Sequence, residues 1–100
     1  VNTGSLAKIA LELPEVWQSL ILGKVGGANI KLIKMGGPGI PDESHADFDE
    51  LLVVIEGEMA LIVDGQAVIL KAGDFYLIPK GASHRVPPGS HGTLLLIDRA

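Results

Sequence analysis

Four side chains suited to chemistry fall at two places in this chain of 100 residues. Glu43, His45 and Glu50 follow one another with one and then four residues between them. His84 comes far downstream, with two residues between it and Gly81 in the stretch Pro79-Lys80-Gly81-Ala82-Ser83-His84. Two imidazoles and two carboxylates are groups that hold divalent transition metals through nitrogen and oxygen. The same four can also hydrogen-bond one another with no ion present. Taken singly, each reads as an ordinary residue: a surface histidine, a charge at a strand edge, an acid in a loop. What they do therefore depends on whether the fold brings them together.

The elements that must position them read as strands. Ser5 is placed to cap a short helix carrying Leu6, Ile9 and Leu13, and Pro14 should end it. Val16 to Val25 is apolar and broken by Gly23; Gly26-Gly27-Ala28-Asn29 then fits a hairpin connection. Asn29 to Met35 alternates Ile30 and Leu32 against Lys31 and Lys34, with Ile33 blurring the pattern. Gly36 to Ser44, rich in glycine and proline, reads as a loop. Leu51 to Ile55 is an aliphatic run, Glu56-Gly57-Glu58 a turn, and Met59 to Val63 its antiparallel partner. Asp64-Gly65 is a strong hairpin signal, because both central positions of such a turn need positive φ. Val68 to Leu70, Phe75 to Ile78 and Leu94 to Ile97 complete the set, while Ser90, His91 and Gly92 read as loop.

Short strands at close spacing with no long helix indicate one all-β domain over residues 1–100, a barrel or sandwich. In such a barrel Glu50 opens a strand whose alternation sends Leu52 and Val54 inward with it. The turn at Pro79-Lys80-Gly81 delivers His84 to the start of the next strand. The spacing thus provides a physical route for Glu43, His45, Glu50 and His84 to meet.

Composition narrows the function classes. Apolar residues make up 47% and aromatics only 4%, so the core is aliphatic and a face reserved for a partner is expected. Eight Lys and Arg against twelve Asp and Glu leave a net charge of −4, which argues against nucleic acid as a partner. No apolar run approaches the roughly 20 residues that span a bilayer, so no membrane partner is expected. No basic-then-apolar leader precedes the helix, although the chain starts at Val1. Zero cysteines exclude disulfides and thiolate ligands and fit a reducing compartment, here expected to be the cytoplasm.

Two spaced sets carry a resemblance to a known family. The first is Gly37-x5-Glu43-x-His45-x4-Glu50-x6-Gly57, over residues 37–57. The second is Gly73-x5-Pro79-x-Gly81-x2-His84, within residues 73–88. Together they resemble the paired motifs of the cupin superfamily, and the likeness extends over nearly the whole chain. The resemblance implies a small double-stranded β-helix, or jelly-roll, cupin barrel with a short N-terminal helix, and Trp17 fits a tryptophan-bearing first strand. It also implies a divalent metal held by two histidines and a glutamate of the first motif and a histidine of the second. Here Glu43 stands where the family has the first of those histidines, and Pro88 where it has an asparagine that is not a ligand.

On that resemblance the metal ligands are Glu43, His45, Glu50 and His84, with Glu43 either the fourth ligand or a general base. An oxygen-richer set favours harder ions, so Mn or Fe fits, with Zn and Ni also open. The other reading is a site with no metal, in which Glu43 is a solvated loop acid. Two functions follow: a metal-dependent enzyme on a small metabolite, of isomerase or dioxygenase type, or a non-catalytic module that binds a small ligand. The resemblance implies a homodimer, with Leu11, Leu13, Val16 and Trp17 as its expected surface. Met35, Leu52, Val54, Phe75, Leu77 and Ile78 are the expected pocket lining.

Overall fold

The computed structural model describes residues 2–99. Helix α1, Leu6–Leu11, starts at Ser5, whose hydroxyl accepts from Lys8 N–H as an N-cap should. Eight strands follow: β1 Leu20–Val25, β2 Ala28–Met35, β3 Ile40–Glu43, β4 Glu50–Val63, β5 Gln66–Lys71, β6 Phe75–Ile78, β7 His84–Val86 and β8 His91–Asp98. All pair antiparallel in the order β1-β2-β8-β4-β7-β3, with β5 and β6 also on β4. The result is a curled half-barrel with one short helix against β2, β4 and β8.

The long strand β4 organises everything else. Its first half pairs with β6 on one side and β8 on the other; its second half pairs with β5 and, at its end, β7. Glu56-Gly57-Glu58 is therefore no turn, and Met59 to Val63 continues Leu51 to Ile55 rather than folding back on it. The reason lies across the ladder, where Gly57 faces Gly92. A Cβ on Gly57 would overlap the His91 carbonyl, and one on Gly92 would overlap that of Glu56. Two backbones cross there closer than any side chain permits, so the glycine bends a strand instead of ending it. Asp64-Gly65 does make the expected hairpin, with φ of 47° and 81°.

Three further expectations change. Gly36 to Ser44 is not all loop, because Ile40–Glu43 pairs with β7. His91 and Gly92 lie on β8, not in a loop. Trp17 precedes the first strand, in a turn at φ 63°, where its backbone N–H donates to Lys34 O and its indole N–H to Gly36 O (2.7 Å).

Both faces of the sheet are apolar. Inside lies the core: Ile33, Met35, Leu52, Val54, Met59, Leu61, Val63, Leu70, Ile78, Ala82, Val86 and Leu94. On the opposite face the registers line up two cross-strand rows. Phe75, Val53, Leu95, Leu32 and Leu20 form one; Leu77, Leu51, Ile97 and Ile30 form the other. Leu32 and Ala10 are buried yet stand outside the core cluster, as expected where α1 packs on this second face.

Candidate metal centre

Each of the four singled-out side chains arrives from a different local device. Glu43 ends β3 and His84 opens β7, and the two are direct cross-strand partners. Glu50 opens β4, where alternation buries it with Leu52 and Val54. His45 sits in the connection between β3 and β4. Its carbonyl accepts from Gly81 N–H at 2.7 Å, and its ring stacks on Phe48 at 4.7 Å. Gly81 is the third residue of the Pro79–Ala82 turn, at φ 83°, a value that position tolerates best as glycine. Asp49 accepts from Lys80 N–H, so the turn before His84 is tied at two points to the loop that carries His45.

One ligand atom from each of Glu43, His45, Glu50 and His84 lies within 4.8 Å of the others. His84 Nε2 is 3.4 Å from both Glu43 Oε1 and Glu50 Oε1; His45 Nε2 is 3.6 Å from Glu50 Oε2 and 3.9 Å from Glu43 Oε1. These separations are too long for good hydrogen bonds. They match the edges of a coordination shell: bonds of about 2.1 Å at tetrahedral angles put neighbouring donors about 3.4 Å apart.

The decisive atom is His84 Nε2. Nδ1 of that ring lies 3.1 Å from Ala82 O, which assigns it the proton. In the neutral ring Nε2 then presents a lone pair, and among the described residues it is buried with no hydrogen-bond partner. A buried, unpartnered acceptor costs about 1–3 kcal/mol. A dication in the cluster would remove that cost, and Nδ1–H donating to a carbonyl is the usual support of a metal-bound imidazole. The residues therefore fit a metal ion. Burial pushes the Glu50 carboxyl up from its ordinary value; His45 and His84 pull it back down, while Glu43 and Asp98 add to the rise. Packing thus works against the carboxylate that a cation would stabilise.

The cluster opens into a cavity of about 270 Å³ walled by aliphatic side chains. Leu52 lines it as expected, whereas Phe75 and Leu77 are more than half exposed on the far side of the sheet. Met35, Val54 and Ile78 are buried in the core beside the cavity rather than lining it. Trp17, assigned from the sequence to a dimer surface, lines the cavity too.

Sequence reasoning missed a second polar group here. Lys31 and Asp98 both face the cavity, 2.8 Å apart, and Asn29 Nδ2 donates to Asp98 at 3.2 Å. Alternation sets Lys31 and Lys34 against Ile30 and Leu32, but the strand has no polar side. The available signal was Ile33, which shares the parity of Lys31 and breaks the simple pattern.

Residues 30–98 match the Cupin_2 family, described as the cupin domain. The chain belongs to the cupin family. Among solved structures, this cupin is similar to a cupin-2 domain containing protein from Shewanella frigidimarina. That match has 24% identity and TM-score 0.89 and covers 99% of this chain and 96% of that one. It is similar to a protein from Neisseria meningitidis at 28% identity and TM-score 0.82, covering 98% and 99%. A third likeness is to a Ralstonia eutropha protein provisionally named a mannose-6-phosphate isomerase, at 22% identity and TM-score 0.78, covering 97% and 96%. A comparison with curated proteins finds no match.

Proposed function

We propose that this cupin holds one divalent transition metal on Glu43, His45, Glu50 and His84 and acts on a small metabolite in the cavity beside it. The observation that carries the reading is the buried, unpartnered Nε2 of His84, aimed among two carboxylates and a second imidazole. Two imidazoles and two carboxylates around a dication form a charge-neutral centre suited to Mn, Fe or Zn. Such an ion polarises a carbonyl or enediol oxygen.

The residues divide the remaining work by exposure. His84 and Glu50 are buried at 4% and 5% and keep fixed positions. Glu43, with a side chain 47% exposed, stands at the mouth, where it can turn from the ion toward a bound molecule. A carboxylate so placed takes or returns a proton at a carbon next to the polarised oxygen, the step an isomerase needs. Elemental analysis of protein purified without chelators tests the reading. Close to one transition metal per chain is expected; a metal-free protein with negligible affinity for Mn, Fe, Ni and Zn would overturn it.

We further propose that the cupin acts as a homodimer, through a surface other than the one expected from the sequence. The two apolar rows on the outer sheet face contain no charged residue and, Leu32 apart, are not buried, so a second copy would cover them without desolvating an ion. β1 adds Leu20, Ile21 and Leu22 at the sheet edge, all exposed, and among the described residues no strand lies beside its outer edge.

A further inference from the structure

The polar group opposite the metal ligands is not accounted for by metal binding. The β4–β8 register sets Leu51 against Ile97, and hence Glu50 against Asp98; the β8–β2 register sets Asp98 against Asn29. Glu50, Asp98 and Asn29 thus form one polar row across three neighbouring strands on the inner face, with Lys31 beside it. Asp98 is 8% exposed and Lys31 18%, and both line the cavity. Buried ion pairs seldom repay their desolvation, so stability alone does not explain a lysine in an aliphatic barrel. An ammonium has three donors, and Asp98 is its one acceptor among the described residues. The others are available to a molecule in the cavity.

The charge balance says what kind of molecule. Four charge-bearing side chains turn into the cavity, Lys31 against Glu43, Glu50 and Asp98, while Arg85 alternates outward from the buried His84 and Val86 and is exposed. With those carboxylates charged, the protein alone leaves two negative charges there, which repel an anion, and a dication cancels them. We propose that Lys31 is a specificity-determining residue: the cavity takes a small organic monoanion, such as a carboxylate, whose charged group meets the Lys31 ammonium, and only when the dication is present. This rests on the metal reading above. The volume, about 270 Å³, lies at the small end for ligand pockets and suits a compact metabolite.

Trp17 is the chain's one tryptophan and lines the cavity, so its fluorescence reports binding directly. The probes are acetate, glycolate, pyruvate and benzoate, each set against its own uncharged amide, on Zn(II)-loaded and metal-free protein. In the loaded protein at least one acid should bind about tenfold or more tighter than its amide, as expected for a charge-assisted hydrogen bond. Metal-free protein should show no such preference. The Lys31→Met/Asp98→Asn double variant removes both charges together and leaves none buried and unpaired. It should bind Zn(II) as wild type does but lose the preference, whereas Lys31→Arg should keep it. If no acid outcompetes its amide, or the double variant keeps the preference, the anion proposal is overturned while the metal reading stands. If Zn(II) does not bind at all, both fall.

Discussion

Replacing His84 with alanine separates what the ring does for the fold from what it does for the ion. Without metal, His84→Ala deletes a ring that is 4% exposed and strips Ala82 O of its partner. A cavity and an orphaned carbonyl together should cost about 2 kcal/mol, and removing the unpartnered Nε2 should return about 1–3 kcal/mol. For a domain near 100 residues, each kcal/mol moves Tm by about 4–8 °C, so the metal-free variant should melt within about 8 °C of wild type. The metal effect is independent of this. At a metal concentration 100 times the wild-type Kd, binding stabilises the folded state by about 2.7 kcal/mol, a rise of about 10–20 °C. A lost ligand that weakens binding about 100-fold leaves only about 0.4 kcal/mol at the same concentration, a rise of about 2–3 °C. Differential scanning fluorimetry of both proteins, stripped with chelator and then titrated with Zn(II) or Mn(II), reads both numbers. An equal metal-induced rise in wild type and His84→Ala would refute the assignment of Nε2 as a ligand, whatever the metal-free proteins do.

Burial raises the folded-state pKa of Glu50 above 4.5, so in metal-free protein the acid form is favoured by folding. Its contribution is fully present below pH 4.5 and lost as pH rises through the folded value. Glu50→Gln should therefore make metal-free protein more stable at pH 7, with the advantage fading toward pH 4 in denaturant titrations; lower stability than wild type at pH 7 would count against this. Glu43→His should preserve metal binding and tighten it for Zn or Ni, and Glu43→Ala should weaken it; equal affinity in wild type and Glu43→Ala would place Glu43 outside the shell. Leu77→Glu, at a position 54% exposed on the outer face, should shift the protein from dimer to monomer in light scattering with its metal affinity intact. A wild type that is monomeric at micromolar concentration would reject the dimer.

Much of the site was legible because local chemistry set it. Asp64-Gly65 and the Pro79–Ala82 turn demand particular φ values, and each turn delivers a strand start to a definite place. Those turns, with the period-2 burial of Glu50, Leu52 and Val54, were enough to bring four separated residues toward one point. Gly57 was misread because a turn glycine and a close-approach glycine look alike until the partner strand is known. Leu77 was expected at the pocket, and Lys31 was given no role there, for a related reason. Alternation says that neighbours face opposite ways, but not which way is in.

The sequence by itself determined the strand-rich architecture, the family motifs and the identity of the four polar residues at the site, because spacing and turn chemistry are local. Tertiary structure decided the rest. Only the β3–β7 pairing puts Glu43 across from His84, and only packing buries Nε2 of His84 without a partner. Register alone sets Asp98 opposite Glu50 and turns Lys31 into the barrel. These are properties of contacts between strands far apart in the chain. No period within one strand encodes them, since the sheet is apolar on both faces and either face would satisfy the pattern.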